Sequence, residues 1–236
     1  MLSDGAWVGS HCFVVAGGPS LSSFNWRLLD GETRIICVNF AYEKLPQAAC
    51  VITEDVRFIQ LAARREDWRS FRGEKILSCL EPSYEPLARA AEPKIRIVPR
   101  KRPDKFWARS ISEGLSYSSC SLVPAMNLAD ILGADPIYLL GVDLNPLGYT
   151  AQTNYHDHYV RAGFERTGDD QLNSFRSDLT YWVAPHMQLK RILNLNPKSA
   201  LDCWKRQSPE EALGGTCESR RLVSTLRPIN ERLLGS

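Results

Sequence analysis

The chain has 236 residues, of which 44% are hydrophobic and 24% are charged, so its length allows one large globular domain or two small ones with an apolar core. Its formal net charge of +2 is nearly balanced, so the bulk charge demands neither nucleic acid nor a membrane surface as a partner. No apolar run approaches the roughly 18 to 20 residues that a membrane span requires, and the first residues lack the basic and apolar regions of a secretory signal peptide.

Short apolar segments rich in β-branched residues predict seven β-strands. In chain order these segments are residues 11–16, 34–40, 50–55, 75–79, 94–99, 136–143 and 191–197. Segments with helical patterning lie between several of them, at residues 21–29, 56–68, 122–133, 178–189 and 208–213. Ser20 and Ser208 are the expected N-caps of the first and last helices, and Pro185 is expected to break or kink the fourth.

Continuous apolar strands that alternate with helices are typical of a parallel sheet covered by helices on both faces. The predicted fold class is therefore α/β: a Rossmann-like, doubly wound and mostly parallel sheet. One domain over residues 1–236 is predicted, and the long polar segment 144–190 is expected to form a lid or acceptor region after the strand that ends at Asp143. The seven cysteines include no C-x-x-C pair, which predicts reduced thiols, a cytoplasmic protein and no zinc site.

The first predicted strand runs directly into Gly17, Gly18, Pro19 and Ser20. In an open parallel sheet, ligands bind beyond the carboxyl ends of the strands. The two glycines permit a sharp turn and a close approach of a ligand to the backbone, and a helix that starts at Ser20 would offer N–H groups to a phosphate. The sequence matches neither G-x-G-x-x-G nor the G-x-x-x-x-G-K-[ST] loop, which disfavours classical dinucleotide binding and P-loop kinase chemistry. A plain strand-to-helix turn with nothing bound is the alternative.

Polar residues also end the other predicted strands. Carboxylates and amides at these ends suit a base and ribose hydroxyls, and helix capping is their alternative role. Serines that precede the predicted helix 122–133 suit a phosphate or a carboxylate, with a flexible loop as the alternative. The residues selected on these grounds are Asn39, Asp55, Gly141, Asp143, Asn194, Asn196 and Ser199 at the strand ends, and Ser119 and Ser121 before the helix.

Two histidines flank Asp157 in the long segment after Asp143. His156 or His158 in such a loop can act as a general base near neutral pH. A His-x-His pair with a carboxylate can also hold a metal ion, and an ordinary polar loop is the third interpretation. The base is preferred, because no third strong metal ligand is nearby in sequence.

A basic stretch follows the fifth predicted strand. Residues 94–110 carry seven Lys and Arg residues together with Phe106 and Trp107. This pattern predicts a solvated loop, a contact with donor phosphates or an anionic acceptor, or a contact with nucleic acid. The arginines between residues 220 and 232 are a second basic element or an oligomer contact.

The motifs A-G-G-P-S-L (residues 16–21) and L-G-A-x-x-I-Y-L-L-G-V-D (residues 132–143), together with C-V-N-F-A-Y and I-L-N-L-N-P-K-S-A-L, occur in the order and roughly the spacing of one superfamily. The chain resembles the small bacterial sialyltransferases, the Maf-type flagellin-associated glycosyltransferases and the archaeal 6-hydroxymethyl-dihydropterin pyrophosphokinase, a superfamily that also has bacteriophage relatives.

The resemblance implies a Rossmann-like transferase that binds a nucleotide-sugar donor, such as a CMP-sugar, and transfers the sugar to a hydroxyl acceptor. It places the 17–20 turn at the donor phosphate, Asn39 at the nucleotide and Gly141 and Asp143 at the cytidine or ribose. Ser121 matches the serine of a T-S-G element, and the segment with Asn194, Asn196 and Ser199 would close the pocket. The candidates for catalysis are Asp143 together with His156 and His158, which the loop sequence and not the resemblance suggests, and no cofactor is required.

The chain also departs from the sialyltransferases. The stretch L-N-S-F-R-S-D-L-T-Y-W lacks their catalytic histidine, and only Tyr149 lies near the place of their tyrosines. Two alternatives therefore stay open. One is a pyrophosphokinase that uses Mg²⁺ near Asp55 and Asp143, and the other is a non-catalytic phage or assembly protein that binds a nucleotide.

Overall fold

The structure is a computed structural model that describes residues 1–79, 84–100, 107–145, 154–164 and 167–213. Within these residues, eight strands form one open sheet in which every neighbouring pair is parallel. The strands are β1 Cys12–Val15, β2 Ile35–Val38, β3 Cys50–Thr53, β4 Glu74–Cys79, β5 Arg96–Pro99, β6 Ile137–Leu140, β7 Ile192–Asn194 and β8 Lys205–Arg206. Their order across the sheet is β5-β4-β3-β2-β1-β6-β7-β8.

The predicted fold class is confirmed, and each of the seven predicted strands overlaps an observed one. Residues of β1 show why these strands are apolar throughout. Phe13 and Val15 belong to one apolar cluster, whereas Val14 belongs to a second cluster on the opposite face of the sheet. A strand buried on both faces has no polar face, so its sequence is a continuous apolar run.

The helices cover both faces of this sheet. The α-helices are α1 Val56–Ala62, α2 Glu66–Ser70, α3 Tyr84–Ala91, α4 Leu122–Ile131, α5 His158–Arg161, α6 Asp169–Asp178 and α7 Ala184–His186. The 3-10 helices are Pro19–Ser23, Trp26–Leu29, Asn39–Lys44 and Ile111–Glu113, and a π-helical turn spans Leu179–Val183.

The α-helix predicted for residues 21–29 is wrong, because two short 3-10 helices occupy this segment. Asn25 between them has extended backbone, and its side chain accepts the N–H of Arg27 and so starts the second helix. The prediction that Ser20 is the N-cap of this segment is also wrong. The N-cap of the first 3-10 helix is Gly18, and Ser20 instead donates to Asp143.

The other helix predictions differ mainly in their bounds. The segment 56–68 forms α1 and the start of α2, and the helical region predicted at 178–189 already begins with α6. The π-helical turn interrupts the regular α-helix immediately before α7, in which Pro185 occupies the first turn, and the helical region ends one residue later at His186. Ser208 accepts the N–H of Glu211, whose carboxylate accepts the N–H of Ser208, as predicted.

The order of the strands creates a crevice beside β1. The chain builds β2 to β5 on one side of β1 and then places β6 on the other side. Because the connections that leave β1 and β6 run apart, the carboxyl ends of these two strands border an open space. The 17–20 turn and the 141–143 segment follow these two strands and therefore flank that space.

Candidate functional site

A cavity of about 1180 Å³ opens at the carboxyl edge of the sheet. One wall is polar and comes from the residues that follow β1, β2, β3, β5 and β6 and from the segment before α4. The other wall is largely apolar and comes from residues 159–164 and 167–175. Its apolar side chains are Tyr159, Val160, Phe164, Leu172 and Phe175.

The structure brings most of the sequence-predicted site residues together around this cavity. The predicted residues that line it are Gly17, Gly18, Pro19, Asn39, Asp55, Ser119, Ser121, Gly141, Asp143 and His156. The predicted residues that do not line it are Ser20, His158, Asn194, Asn196 and Ser199. Tyr149, the basic residues 101–105 and the arginines beyond residue 219 lie outside the described part of the chain.

The two glycine motifs pack against each other. A Cβ on Gly18 would lie 2.4 Å from the carbonyl oxygen of Gly141 and 2.7 Å from the carboxylate of Asp143. Gly141 itself has a φ of +66°, which favours glycine, and a Cβ there would lie 2.7 Å from Leu21. The prediction explained these glycines by the approach of a ligand, but the chain's own backbone fills the space beside Gly18.

Asp143 ties these two turns together. Its carboxylate accepts the backbone N–H of Ser20 at 2.7 Å, the Ser20 hydroxyl at 2.6 Å and the Asn196 side-chain amide at 2.7 Å. Asp143 is 5% exposed, so this carboxylate is an internal anion at the start of the first 3-10 helix. The anion site predicted at Ser20 is therefore occupied by the protein's own carboxylate.

The predicted residues at the end of β7 and just after it form hydrogen bonds to the 142–143 segment. The Asn194 amide donates to the carbonyl oxygen of Val142 at 3.1 Å, and the Ser199 hydroxyl donates to the same oxygen at 2.7 Å. Asn194 and Ser199 are fully or almost fully buried, and Asn196 is 8% exposed. In this structure these three side chains bond to the 142–143 segment, and their direct contact with a ligand stays a prediction.

We expect Asp143→Asn to destabilise the protein. In this variant an amide NH₂ replaces one carboxylate oxygen, so a donor group faces the donor group of Ser20 or of Asn196. A buried donor without an acceptor costs about 2 kcal/mol. For a chain of this size, that loss lowers the melting temperature by roughly 4–8 °C. Calorimetry of Asp143→Asn beside Asp30→Asn, whose side chain is exposed, measures the effect. Equal melting temperatures for the two variants would contradict the bonding described for Asp143.

The serines before α4 divide into two kinds. Ser118 and Ser119 both donate their hydroxyls to Asp178 at 2.6 Å. Ser121 accepts the backbone N–H of Glu54 at 3.0 Å, so its own O–H stays available to a ligand in the cavity. Ser121 is therefore the better placed of the two predicted serines for a phosphate, since the Asp178 carboxylate already occupies the hydroxyl of Ser119.

The two histidines of the predicted loop lie differently. His156 lines the cavity, and its Nε2 lies 4.0 Å from the position that a Cβ would take on Gly17. His158 stacks on His156 with ring centroids 4.8 Å apart and packs against Phe40. Its Nε2 lies 2.7 Å from a carboxylate oxygen of Glu43, at ion-pair distance but without hydrogen-bond alignment. His158 thus attaches the loop to the Asn39–Lys44 helix, and His156 faces the cavity.

Burial keeps His156 neutral. Desolvation and the neighbouring His158 lower the pKa of His156 to about 4, and its Nδ1 is buried without a hydrogen-bond partner. The loop that carries it is fixed by Tyr155, whose N–H donates to the carbonyl oxygen of Gly17 and whose hydroxyl donates to that of Phe40. A neutral imidazole held in this way can accept a proton from a bound group.

Two further buried acceptors lie at the ends of β2 and β3. Asn39 has a φ of 52°, and its side-chain oxygen is buried without a partner. Glu54 also has one buried carboxylate oxygen without a hydrogen bond, and burial raises the pKa of this group to about 8. Asp55, in contrast, is held by Arg57 through two hydrogen bonds of 2.9 and 3.0 Å.

Sequence reasoning selected Asp55 rather than Glu54 and did not select Arg100 individually. Both Glu54 and Arg100 line the cavity. The sequence signal that favours Glu54 over Asp55 is its position directly after the last residue of β3. The end of a buried strand holds the side chain that follows it more firmly than one a residue further on. The apolar wall was also missed, because Tyr159, Phe164 and Phe175 lie in a segment without strand or clear helix pattern.

The described residues contain neither a cluster of metal-ligating side chains nor a helix with the character of a membrane span. No group of three His, Cys, Asp or Glu side chains there is arranged to hold a metal ion. In the same part of the chain, no helix combines the length and hydropathy that a membrane crossing needs.

The fold is that of an open, parallel α/β protein, with a cavity at the point where the strand order reverses. The Maf glycosyltransferase from Magnetospirillum magneticum AMB-1 shares this fold, with 15% sequence identity and a TM-score of 0.55 over 94% of this chain. The match covers 38% of that glycosyltransferase, so this chain spans well under half of its length.

The sialyltransferase CstII from Campylobacter jejuni is also similar. Its complex with the substrate analogue CMP-3FNeuAc is 12% identical, with a TM-score of 0.47 over 85% of this chain and 86% of that one. Its complex with cytidine-5'-monophosphate is 16% identical, with a TM-score of 0.48 over 85% and 87%. The Maf glycosyltransferase belongs to a group that the sequence resembles, so the resemblance to that group is confirmed at the level of the fold. No protein-family model and no curated protein sequence matches the chain.

Proposed function

We propose that the protein is a glycosyltransferase that binds a nucleotide-linked sugar, such as a CMP-sugar, at the carboxyl edge of its sheet. The observation that carries this proposal is the cavity beside β1 and β6, lined by Gly17, Asn39, Ser121 and His156. Ligands of open α/β sheets bind at this place. Its volume of about 1180 Å³ slightly exceeds the usual range for a single small-molecule site, which suits a nucleotide-sugar and part of an acceptor.

The polar wall supports a sugar-containing ligand. Three buried polar atoms, namely Asn39 Oδ1, Glu54 Oε1 and His156 Nδ1, have no hydrogen-bond partner. A buried polar atom without a partner is costly, so a ligand that supplies hydrogen-bonding groups there is favoured. Ribose and sugar hydroxyls are such groups, and the free Ser121 hydroxyl can donate to a phosphate oxygen.

The proposed reaction is a displacement at the anomeric carbon of the donor sugar. The acceptor hydroxyl oxygen forms a bond to that carbon, and the bond from the carbon to the phosphate oxygen breaks. The hydroxyl proton passes to the neutral His156, and the nucleotide leaves with its electron pair on the phosphate. Donors aimed at the leaving phosphate lower the barrier by stabilising its developing charge.

A ligand screen tests this function. We expect CMP or another nucleotide to raise the melting temperature, since a ligand at one hundred times its Kd stabilises the folded state by about 2.7 kcal/mol. Incubation with CMP-, UDP- and GDP-sugars should then release free nucleotide when a suitable acceptor is present. Silence across all three donor classes in both assays would contradict the proposal. AMP formation from ATP and Mg²⁺ would replace it with the pyrophosphokinase alternative.

A further inference from the structure

Glu54 and Arg100 face each other inside the cavity, at the ends of β3 and β5. The distance between the Glu54 Oε1 and the Arg100 Nε is 3.2 Å, and their side chains are 8% and 15% exposed. The Nε–H of Arg100, however, donates to the carbonyl oxygen of Ser78 at 2.9 Å. The carboxylate therefore feels the charge of Arg100 but receives no hydrogen bond at Oε1.

Arg100 has N–H groups that no described residue accepts and that a ligand in the cavity could bond to. Its Nη2 donates to the backbone oxygen of Glu54 at 3.3 Å, and its Nη1 makes no hydrogen bond to any residue that the structure describes. The guanidinium packs over the Tyr117 ring at 5.2 Å, which holds its plane. Two N–H groups on one side of a fixed guanidinium match two oxygens of a phosphate.

The charges of the cavity decide how an anionic donor can bind there. The described lining carries four carboxylates and only two guanidinium groups, namely Glu54, Asp55, Asp143 and Asp157 against Arg57 and Arg100. Asp55 is held by Arg57, Asp157 pairs with Arg161, and Asp143 accepts three hydrogen bonds. Glu54 is thus the carboxylate that competes with an incoming phosphate for Arg100.

We propose that Arg100 binds the donor phosphate and that Glu54 takes up a proton as it does so, which couples nucleotide binding to protonation of one buried carboxyl group. This inference rests on the proposed function, because it requires an anionic donor in the cavity. When the phosphate engages Arg100, Glu54 loses its counter-charge and gains a negative neighbour. Both changes favour the neutral acid.

Among the groups that surround it, Glu54 is the one expected to gain or lose a proton near pH 8. Burial raises the pKa of Glu54 to about 8, and Arg100 opposes that shift. The thiol of Cys120, from the segment before α4, has a pKa that burial raises to about 12, so it stays neutral. The carboxylate of the adjacent Asp55 pairs with Arg57, with Nε and Oδ1 2.9 Å apart. Proton uptake is therefore expected at and above pH 8, where free Glu54 loses its proton and the nucleotide complex retains it.

Calorimetric titration with CMP and UMP tests this coupling. Between pH 7 and pH 9 we expect the affinity of the wild-type protein for the nucleotide to fall about tenfold, since one proton is bound with the ligand. At pH 9, the observed enthalpy should differ between two buffers with different ionisation enthalpies, by an amount that corresponds to one proton. Cytidine, which has no phosphate, should show neither effect.

Variants separate Glu54 from other groups. Glu54→Gln should bind CMP with an affinity that no longer depends on pH over this range, and Arg100→Lys should weaken binding of CMP more than binding of cytidine. Glu92→Gln, at a carboxylate that pairs with Lys75 and does not line the cavity, is the matched control and should behave like the wild type.

The outcomes are distinct. Nucleotide binding without proton uptake by the wild-type protein would overturn the coupling and leave the proposed function intact, and this result needs no variant to fold. Unchanged proton uptake in Glu54→Gln would assign the proton to another group and would also overturn it. The absence of any nucleotide binding by the wild-type protein would remove the proposed function and the coupling together.

Discussion

Gly18→Ala is expected to destabilise the protein by about 3 kcal/mol, because the added Cβ overpacks a site that cannot relax. The atoms that it would meet are the backbone oxygen of Gly141 at 2.4 Å and the carboxylate of Asp143 at 2.7 Å. Neither is the end of a flexible side chain, since Asp143 is held by Ser20 and Asn196. The melting temperature should fall by roughly 6–12 °C, measured by calorimetry or urea unfolding.

A matched substitution isolates this effect. A Cβ on Gly168 would meet nothing within 4 Å, and its φ is −85°, so Gly168→Ala should cost only the roughly 1 kcal/mol or less by which alanine is a poorer N-cap of α6 than glycine. The same pair of variants also separates two explanations of the glycine turn. If Gly18→Ala kept full stability and lost only nucleotide affinity, Gly18 would serve the ligand rather than the contact between the β1 and β6 turns.

The sheet could be predicted well from the sequence because its strands are buried on both faces. Runs such as residues 12–15 and 137–140 are apolar at every position, and a covered parallel sheet requires this pattern. β8 was not predictable in the same way, since Lys205 and Arg206 are exposed at the edge of the sheet. The helix predicted at 21–29 failed because local capping by Asn25 divides the segment, which apolar spacing alone does not reveal.

The candidate site was predictable in position but not in the role of each residue. Parallel strands bring their carboxyl ends to one edge, so polar residues after β1, β2, β3 and β6 had to lie near each other. Which of them face the ligand depends on partners far away in sequence. Ser20 and Asn196 turn Asp143 into an internal anion, and Asp178 occupies Ser119. Neither pairing leaves a signal in the local sequence.

The histidine loop illustrates the same limit. His156 and His158 are two residues apart and were equal candidates by sequence. The structure separates them, since Glu43 and Phe40 hold His158 outside the cavity, while His156 lines it. Their rings stack on each other, so a positive charge on His158 disfavours one on His156 and contributes to the low pKa of His156.

His156→Gln is expected to lower the rate of sugar transfer by about 10²- to 10⁴-fold, the usual contribution of a general base. Nucleotide affinity should change little, because glutamine keeps a polar group at the same wall of the cavity. Single-turnover kinetics with a nucleotide-sugar separates the two quantities. His158→Gln is the control: it should lower stability through the loss of its contacts with Glu43 and Phe40 but retain most of the turnover.

The pH dependence gives a second test of His156 that does not need the substrate. Because burial holds its pKa near 4 in the folded state, below its ordinary value, the unfolded chain binds the proton more tightly. The stability that comes from this neutral histidine is complete above its ordinary pKa of about 6.5 and is lost as the pH falls toward 4. The wild-type protein should therefore lose more stability than His156→Gln between pH 7 and pH 4. A donor phosphate beside the imidazole raises its pKa toward neutrality. His156 therefore becomes a stronger base only when the nucleotide is bound. If the wild-type protein and His156→Gln lost the same amount of stability between pH 7 and pH 4, His156 would not be held neutral in the free cavity.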